Sequence, residues 1–289
     1  MTAASALLPI DACRIFFDGT FSEPRLDHPE CVAIAPDGAV WCGGELGQIY
    51  RIDSDGTRLE QVASTGGFCL GLAFGPEGGL YVCDAVHRSV LRYDLATGDL
   101  NVFADGAGSR RFTMPNYPVF DSEGRLYVSD SGPADRPGPG VNRFTPSGDG
   151  ESWHDGPFMV ANGLALEPGG GALYVAETFA SAVTRIPIDA YGRPGERELF
   201  AVLNALPDGL AFGPDGALYV GCYEPSAILR ITRHGRVAWL VHDETAHILC
   251  RPTNLAFRGD TLFAANLGRW HVTALDIGEI HPDREARIA

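Results

Sequence analysis

The sequence predicts an all-β fold, a six-bladed propeller with four antiparallel strands per blade. Three observations predict it. One kind of unit recurs six times, each copy sets a tight turn between two short apolar strands, and no stretch carries a convincing amphipathic helical pattern. Six units in 289 residues give about 48 residues each, a usual length for propeller repeats. Six blades close one ring, so residues 1–289 are expected to form one domain.

Along the chain, RIFFDG (14–19) precedes the first unit and is expected to pair with the last blade, closing the ring. The units then follow as HPECVAIAPDGAVW (28–41), FCLGLAFGPEGGLYV (68–82), MPNYPVFDSEGRLYV (114–128), MVANGLALEPGGGALYV (159–175), LPDGLAFGPDGALYV (206–220) and RPTNLAFRGDTLF (251–263). Each opens with an apolar strand. A P-D-G type turn follows, in which glycine supplies the positive φ that a tight hairpin needs, and then a strand of L-Y-V type. Third strands are QIYRID (48–53), SVLRYDL (89–95), AVTRIPI (182–188) and AILRITR (227–233), followed by a more variable fourth. Asp37, Asp215, Tyr81, Tyr127, Tyr174 and Tyr219 recur as scaffold. The Gly/Pro-rich loop SGPADRPGPG (131–140) falls inside the third blade.

Composition excludes several functions. The chain has 22 basic and 37 acidic residues, a net charge of −15, so nucleic-acid and membrane-surface partners are not expected. Every basic residue is arginine, which removes lysine Schiff-base chemistry and a P-loop lysine. Seven cysteines with no C-x-x-C spacing read as reduced thiols. The N-terminus lacks the basic region of a secretory signal, and no apolar run is long enough to span a membrane. The expected compartment is the cytoplasm.

Function should lie where the copies differ for no packing reason. Four residues before the central apolar residue of each first strand stand Glu30, Leu70, Asn116, Asn162 and Asp208, with Thr253 or Asn254 in the shorter sixth unit. The spacings, 40, 46, 46, 46 and 45 residues (to Thr253), put these side chains at one height at the mouth of the central channel. Glu30, Asn116, Asn162 and Asp208 form a ring of hard oxygen donors with two negative charges. That set suits one divalent cation, Ca²⁺ first, with Zn²⁺ or Mn²⁺ as alternatives, although no soft Cys/His ring favours zinc.

These residues and their flanking motifs resemble the SMP-30/gluconolactonase/LRE family of six-bladed, calcium-dependent propeller hydrolases. V-A-N-G-L-A-L-E-P (160–168) and P-D-G-L-A-F (207–212) carry its N-G-L and P-D-G signatures. Glu30 in H-P-E-C takes the place of the family glutamate, and Asn116 in M-P-N-Y-P-V-F-D that of its R-x-N-D segment. The resemblance covers roughly residues 28–277. It implies a metal held by Glu30, Asn116, Asn162 and Asp208, with Asp208 also the general base or nucleophile. Met114 and Tyr117 stand where sugar lactonases place Arg and Asp, which implies a less hydroxylated substrate. Asn116, Tyr117 and Thr253 are the expected substrate contacts.

Other signals are set aside. HDETAH (242–247) lacks H-E-x-x-H spacing and reads as a solvated loop. There is no G-x-S-x-G elbow and no G-x-G-x-x-G after a strand. His28 and His271 could approach the channel mouth, and Trp270 and Tyr223 could wall it. The reading is a metal-dependent hydrolase acting on a small molecule, a lactonase opening a cyclic ester, with Asp208 as base or nucleophile. The rivals are a non-hydrolytic propeller enzyme (strictosidine-synthase-like or an isomerase) and a non-catalytic binding propeller. Oligomeric state is not legible.

Overall fold

A computed structural model of the chain describes residues 6–278 and 280, and these form a six-bladed β-propeller. Five blades are hairpin-connected sheets read in chain order. Blade one comprises Cys31–Ile34, Val40–Gly43, Gln48–Ile52 and Leu59–Ser64. Blade two comprises Cys69–Phe74, Leu80–Asp84, Ser89–Tyr93 and Leu100–Ala104. Blade three comprises Pro115–Phe120, Leu126–Asp130, Gly140–Phe144 and Gly150–His154. Blade four comprises Ala161–Leu166, Ala172–Glu177, Ala182–Pro187 and Glu198–Val202. Blade five comprises Leu206–Phe212, Leu218–Glu224, Ala227–Ile231 and Val237–His242.

Blade six is composite. Pro252–Arg258, Thr261–Asn266 and His271–Asp276 take their fourth strand from Cys13–Asp18 at the other end of the chain, antiparallel to His271–Asp276. The expected pairing of RIFFDG with the last blade is therefore present. Upstream, the amides of Leu7 and Leu8 donate to the carbonyls of Trp239 and Leu240 in blade five, at 2.8 and 2.9 Å. The N-terminal segment so ties the last two blades together.

Two repeated contacts explain the repeated letters. On the face away from the ring, the turn acid of the first hairpin meets the arginine of the third strand: Asp37–Arg51 (3.0 Å), Glu77–Arg92 (3.3 Å), Glu167–Arg185 (3.8 Å) and Asp215–Arg230 (2.8 Å). The tyrosines of the L-Y-V strands donate to the same acids, Tyr81 to Glu77 (2.8 Å) and Tyr219 to Asp215 (3.0 Å). Between blades, the second-strand aromatic meets the next blade's first-strand phenylalanine edge-on. The pairs are Trp41–Phe74, Tyr81–Phe120, Tyr174–Phe212 and Tyr219–Phe257, with centroids 4.8 to 5.7 Å apart. Edge-to-face geometry sets the positive ring edge on the negative ring face.

Within blade six, Phe263 of the second strand meets Phe16 of the N-terminal fourth strand edge-on at 4.9 Å, as Tyr81 meets Phe103 and Tyr174 meets Phe200 in blades two and four, and Phe263 is fully buried. Phe263→Ala removes the side chain that joins the two ends of the chain. We expect it to cost about 3–5 kcal/mol, the usual range for truncating a buried phenylalanine. Chemical denaturation should show a lowered midpoint with an unchanged slope.

Candidate functional site

The six ring positions lie at or beside the starts of the six inner strands, and all are buried: Glu30, Leu70, Asn116, Asn162, Asp208 and Thr253. Close approach of the inner strands is built into the residue that follows. A Cβ on Gly163 would collide with the Asp208 carbonyl and Gly209 Cα, and one on Gly209 would collide with the Asn254 backbone. The same P-D-G letters thus do two jobs. At 214–216 they make a turn, with Gly216 at φ 74°. At 207–209 they are inner strand, and the glycine is required for lack of space.

Four oxygens at the ring have no hydrogen-bond partner although they are buried: Glu30 Oε2, Asn116 Oδ1, Asn162 Oδ1 and Asp208 Oδ1. A buried acceptor left unpaired is costly, so four at one level point to a missing partner. The amide nitrogens face the other way, Asn116 Nδ2 donating to Ser131 Oγ (3.0 Å) and Asn162 Nδ2 to Thr178 Oγ1 (3.1 Å). Electrostatics agrees. Burial, then the nearby charge of Asp208, pushes the Glu30 carboxyl well above the carboxylate range. Burial likewise raises Asp208, to about 7. Two carboxylates and two amide oxygens of this kind match the donor chemistry of a hard divalent cation.

The sixth blade differs from the expectation. Thr253 donates its hydroxyl to the Glu30 carbonyl at 2.6 Å and is fully buried, so it braces the neighbouring blade and does not face a substrate. Asn254, the other candidate, is also fully buried and lies one residue deeper, against Gly209. Its Nδ2 donates to the carbonyls of Glu30 (3.1 Å) and Leu70 (2.8 Å), while its Oδ1 is buried and unpartnered. Tyr117, one residue deeper than Asn116, is buried, and its phenol is raised by burial and by Cys31, Cys83 and Asp208. It belongs to the apolar core with Trp153, Phe158 and Leu164, where an aspartate would have placed a further buried charge.

The rim is set by the residue two places before each ring position: His28, Phe68, Met114, Val160, Leu206 and Arg251. His28, Val160 and Arg251 adopt left-handed backbone (φ 28°, 62° and 51°), which is rare outside glycine and most strained for a β-branched valine. Sequence reading singled out His28 and Met114 and missed the other four, although their fixed offset from the ring was the available signal. Arg251 stacks over Tyr223 (5.0 Å) and donates to its hydroxyl (3.1 Å). Arg25 lies over Trp270 (4.2 Å), whose ring also meets His28 (4.9 Å). His28 is near Asp27 (3.1 Å) and Glu45 (3.5 Å). His271 is turned away, buried against the Ile248 carbonyl at 2.9 Å.

HDETAH is the solvated loop expected, with Glu244, Thr245 and His247 exposed, apart from one buried residue. Asp243 is buried and accepts from the backbone amides of Thr245, His247, Ile248 and Leu249. Burial alone would raise its carboxyl, but the bonds from Thr245, Ile248 and Leu249 outweigh that and hold it at about 2. All seven cysteines are free thiols. Among the described residues, no helix is long and apolar enough to cross a membrane.

Two buried carboxylates facing each other have a stability signature. Their folded-state pKa values lie above the unfolded ones, so their favourable contribution is complete at acidic pH and is lost as pH rises toward neutrality and beyond. In chelator, Glu30→Gln should therefore melt higher than the parent chain at pH 8, with the difference shrinking at pH 5. Differential scanning fluorimetry at the two pH values checks this.

Comparison with known proteins places the chain. The family model described as the SMP-30/Gluconolactonase/LRE-like region matches residues 29–264. A gluconolactonase of Zymomonas mobilis subsp. mobilis is 26% identical over 221 residues, 67% of this chain and 59% of that protein. A 6-deoxy-6-sulfogluconolactonase of Pseudomonas putida is 32% identical over 111 residues, 37% of each chain. The chain thus spans under two thirds of the length of these relatives. Among solved structures, regucalcin from Agrobacterium tumefaciens, a calcium-binding protein, superposes with a TM-score of 0.75 over 94% of this chain and 95% of that one, at 19% identity, a likeness of fold. With the family model covering most of its length, this chain belongs to the SMP-30/gluconolactonase/LRE-like family.

Proposed function

We propose that this chain is a divalent-cation-dependent lactonase that adds water across a small cyclic ester to give the open hydroxy acid. The observation that carries the reading is the set of four buried, unpartnered oxygens of Glu30, Asn116, Asn162 and Asp208. The gluconolactonase and sulfogluconolactonase relatives support lactone hydrolysis, and the calcium-binding fold relative supports Ca²⁺ as the first cation to test.

Bound among these oxygens, a divalent cation supplies Lewis-acid polarisation of the ester carbonyl. Asn116 and Asn162 contribute neutral donors. Glu30 and Asp208 contribute the two charges and, when ionised, balance the cation. Asp208 keeps an unpartnered Oδ1 toward the channel and either takes a proton from water or attacks the carbonyl itself. Gly209 beside it leaves no side chain between the carboxylate and the next strand. Tyr117 and the buried inner strands keep water out from below. A small-molecule substrate enters across the rim, where four of six positions are apolar (Phe68, Met114, Val160, Leu206). This favours an alkyl or aromatic lactone over a polyhydroxylated one.

Two measurements test this. Asp208→Asn keeps the shape and one donor oxygen but can neither accept a proton nor attack. Turnover should fall by at least about 10²–10⁴-fold, the loss expected without a general base, and excess cation should not restore it. Glu30→Gln should act through weaker cation affinity, so excess cation restores part of its kcat. Equal rescue of both variants would reduce Asp208 to a ligand. Separately, a lactone panel ranked by kcat/KM should place alkyl or aromatic lactones above gluconolactone, and a lead for the sugar lactones would reverse the rim argument.

A further inference from the structure

The two ring asparagines pose a problem that the two ring carboxylates do not. Either oxygen of a carboxylate can face a cation, but an amide has one oxygen and one nitrogen, and half a turn about its last torsion replaces a donor ligand by an NH₂ group. Resting on the cation site proposed above, we infer that Ser131 and Thr178 are positioning residues that lock the ring amides with Oδ1 facing the channel before any cation arrives.

The lock follows from hydrogen-bond directions. Ser131 Oγ lies 2.7 Å from the Ala161 carbonyl, and Thr178 Oγ1 lies 2.8 Å from the Pro207 carbonyl. A carbonyl can only accept, so each hydroxyl must direct its single proton at the next blade. What remains on that hydroxyl is acceptor capacity. The group of Asn116 or Asn162 that approaches it, at 3.0 and 3.1 Å, must then be Nδ2, and Oδ1 is left pointing the other way. All four residues are buried, so water does not compete for these bonds. Both carbonyls belong to the residue just before a ring position, Ala161 before Asn162 and Pro207 before Asp208. One relay therefore orients an amide and sets the neighbouring ligand.

The chain contains its own control. The hydroxyls follow the second-strand residues Asp130 and Glu177, which pair with Pro115 and Ala161 of the inner strands. The matching position in blade two, after Asp84, is Ala85, and its ring residue is the apolar Leu70. In blade six, after Asn266, it is Leu267. Blades one and five, whose ring residues are Glu30 and Asp208, carry Glu45 and Tyr223 there. Of these six positions, a small hydroxyl stands behind the two ring asparagines, Asn116 and Asn162, and behind neither carboxylate.

The test reads cation binding and leaves hydrolysis aside. Tb³⁺ luminescence and Ca²⁺ calorimetry are run on the parent chain, Ser131→Ala, Thr178→Val and Thr178→Ser, with melting in chelator as the fold control. Loss of an outer hydrogen bond to a metal ligand typically weakens affinity about 10–100-fold, and that is expected for the first two variants. Thr178→Ser, which keeps the hydroxyl, should bind like the parent. A purely structural role would lower the chelated melting point and leave affinity within about twofold, which overturns the inference. For a variant that does not fold, the side-chain amide NMR signals of the parent decide. Fixed, slowly exchanging Nδ2 protons of Asn116 and Asn162 without cation support the lock, and amides averaged by flipping refute it. A parent chain that binds neither ion refutes the cation site itself, a failure distinct from equal binding by parent and variants.

Discussion

The mouth of this propeller depends on hydrogen bonds that run sideways from one inner strand to the next. Inner strands in a propeller do not form a continuous sheet, so their heights are not set by a shared ladder. Here single polar side chains set them: Ser129 to the Asn162 carbonyl, Thr178 to the Pro207 carbonyl, and Thr253 to the Glu30 carbonyl. The last of these joins residues 223 positions apart and closes the circle. Each bond is buried, where a missing partner costs more than at the surface.

The two faces of the ring carry opposite energetics. On the far face, turn acid and third-strand arginine pair in blades one, two, four and five, and the second-strand tyrosine donates to the same acid in blades two, four and five. These clusters are partly exposed and individually modest, but they recur and agree with the local hairpin geometry. On the mouth face, acceptors are buried without partners, burial raises the proton affinity of two carboxylates, and three rim residues hold left-handed backbone. Unfavourable local terms of this kind persist where the surrounding structure over-determines them. The inter-blade aromatic contacts and the shared blade six supply that constraint.

The division also explains why identical letters act differently. Asp208 and Asp215 both precede glycine within one unit. Asp215 meets Arg230 and Tyr219 and caps a turn, while Asp208 meets burial and keeps a free oxygen. Tyr117 and Tyr127 sit in one blade, yet Tyr127 packs edge-on against Trp153 at 5.0 Å and Tyr117 is buried directly behind the ring residue Asn116. What a residue does here follows from its height along the channel more than from its type.

Most of the architecture was legible in the chain because it is local. Hairpins need alternating apolar residues and a glycine at positive φ, and six copies of that pattern specify six sheets and the spare strand RIFFDG that completes the last. The ring positions were legible too, since near-equal spacing along equivalent strands means equal height. What the letters left open was every matter settled between blades. They could not say what Thr253 and Asn254 do, because that depends on which side chain reaches the Glu30 and Leu70 carbonyls more than 180 residues away. They did not reveal that Asp243 is buried at the centre of its own loop, nor that His271 turns inward to Ile248. They could not say which end of Asn116 and Asn162 faces the axis. Sequence determined the repeating units and the chemical types at their ends; the packing of one unit against the next decided which atoms point into the channel, because hydrogen-bond direction is a property of neighbours in space.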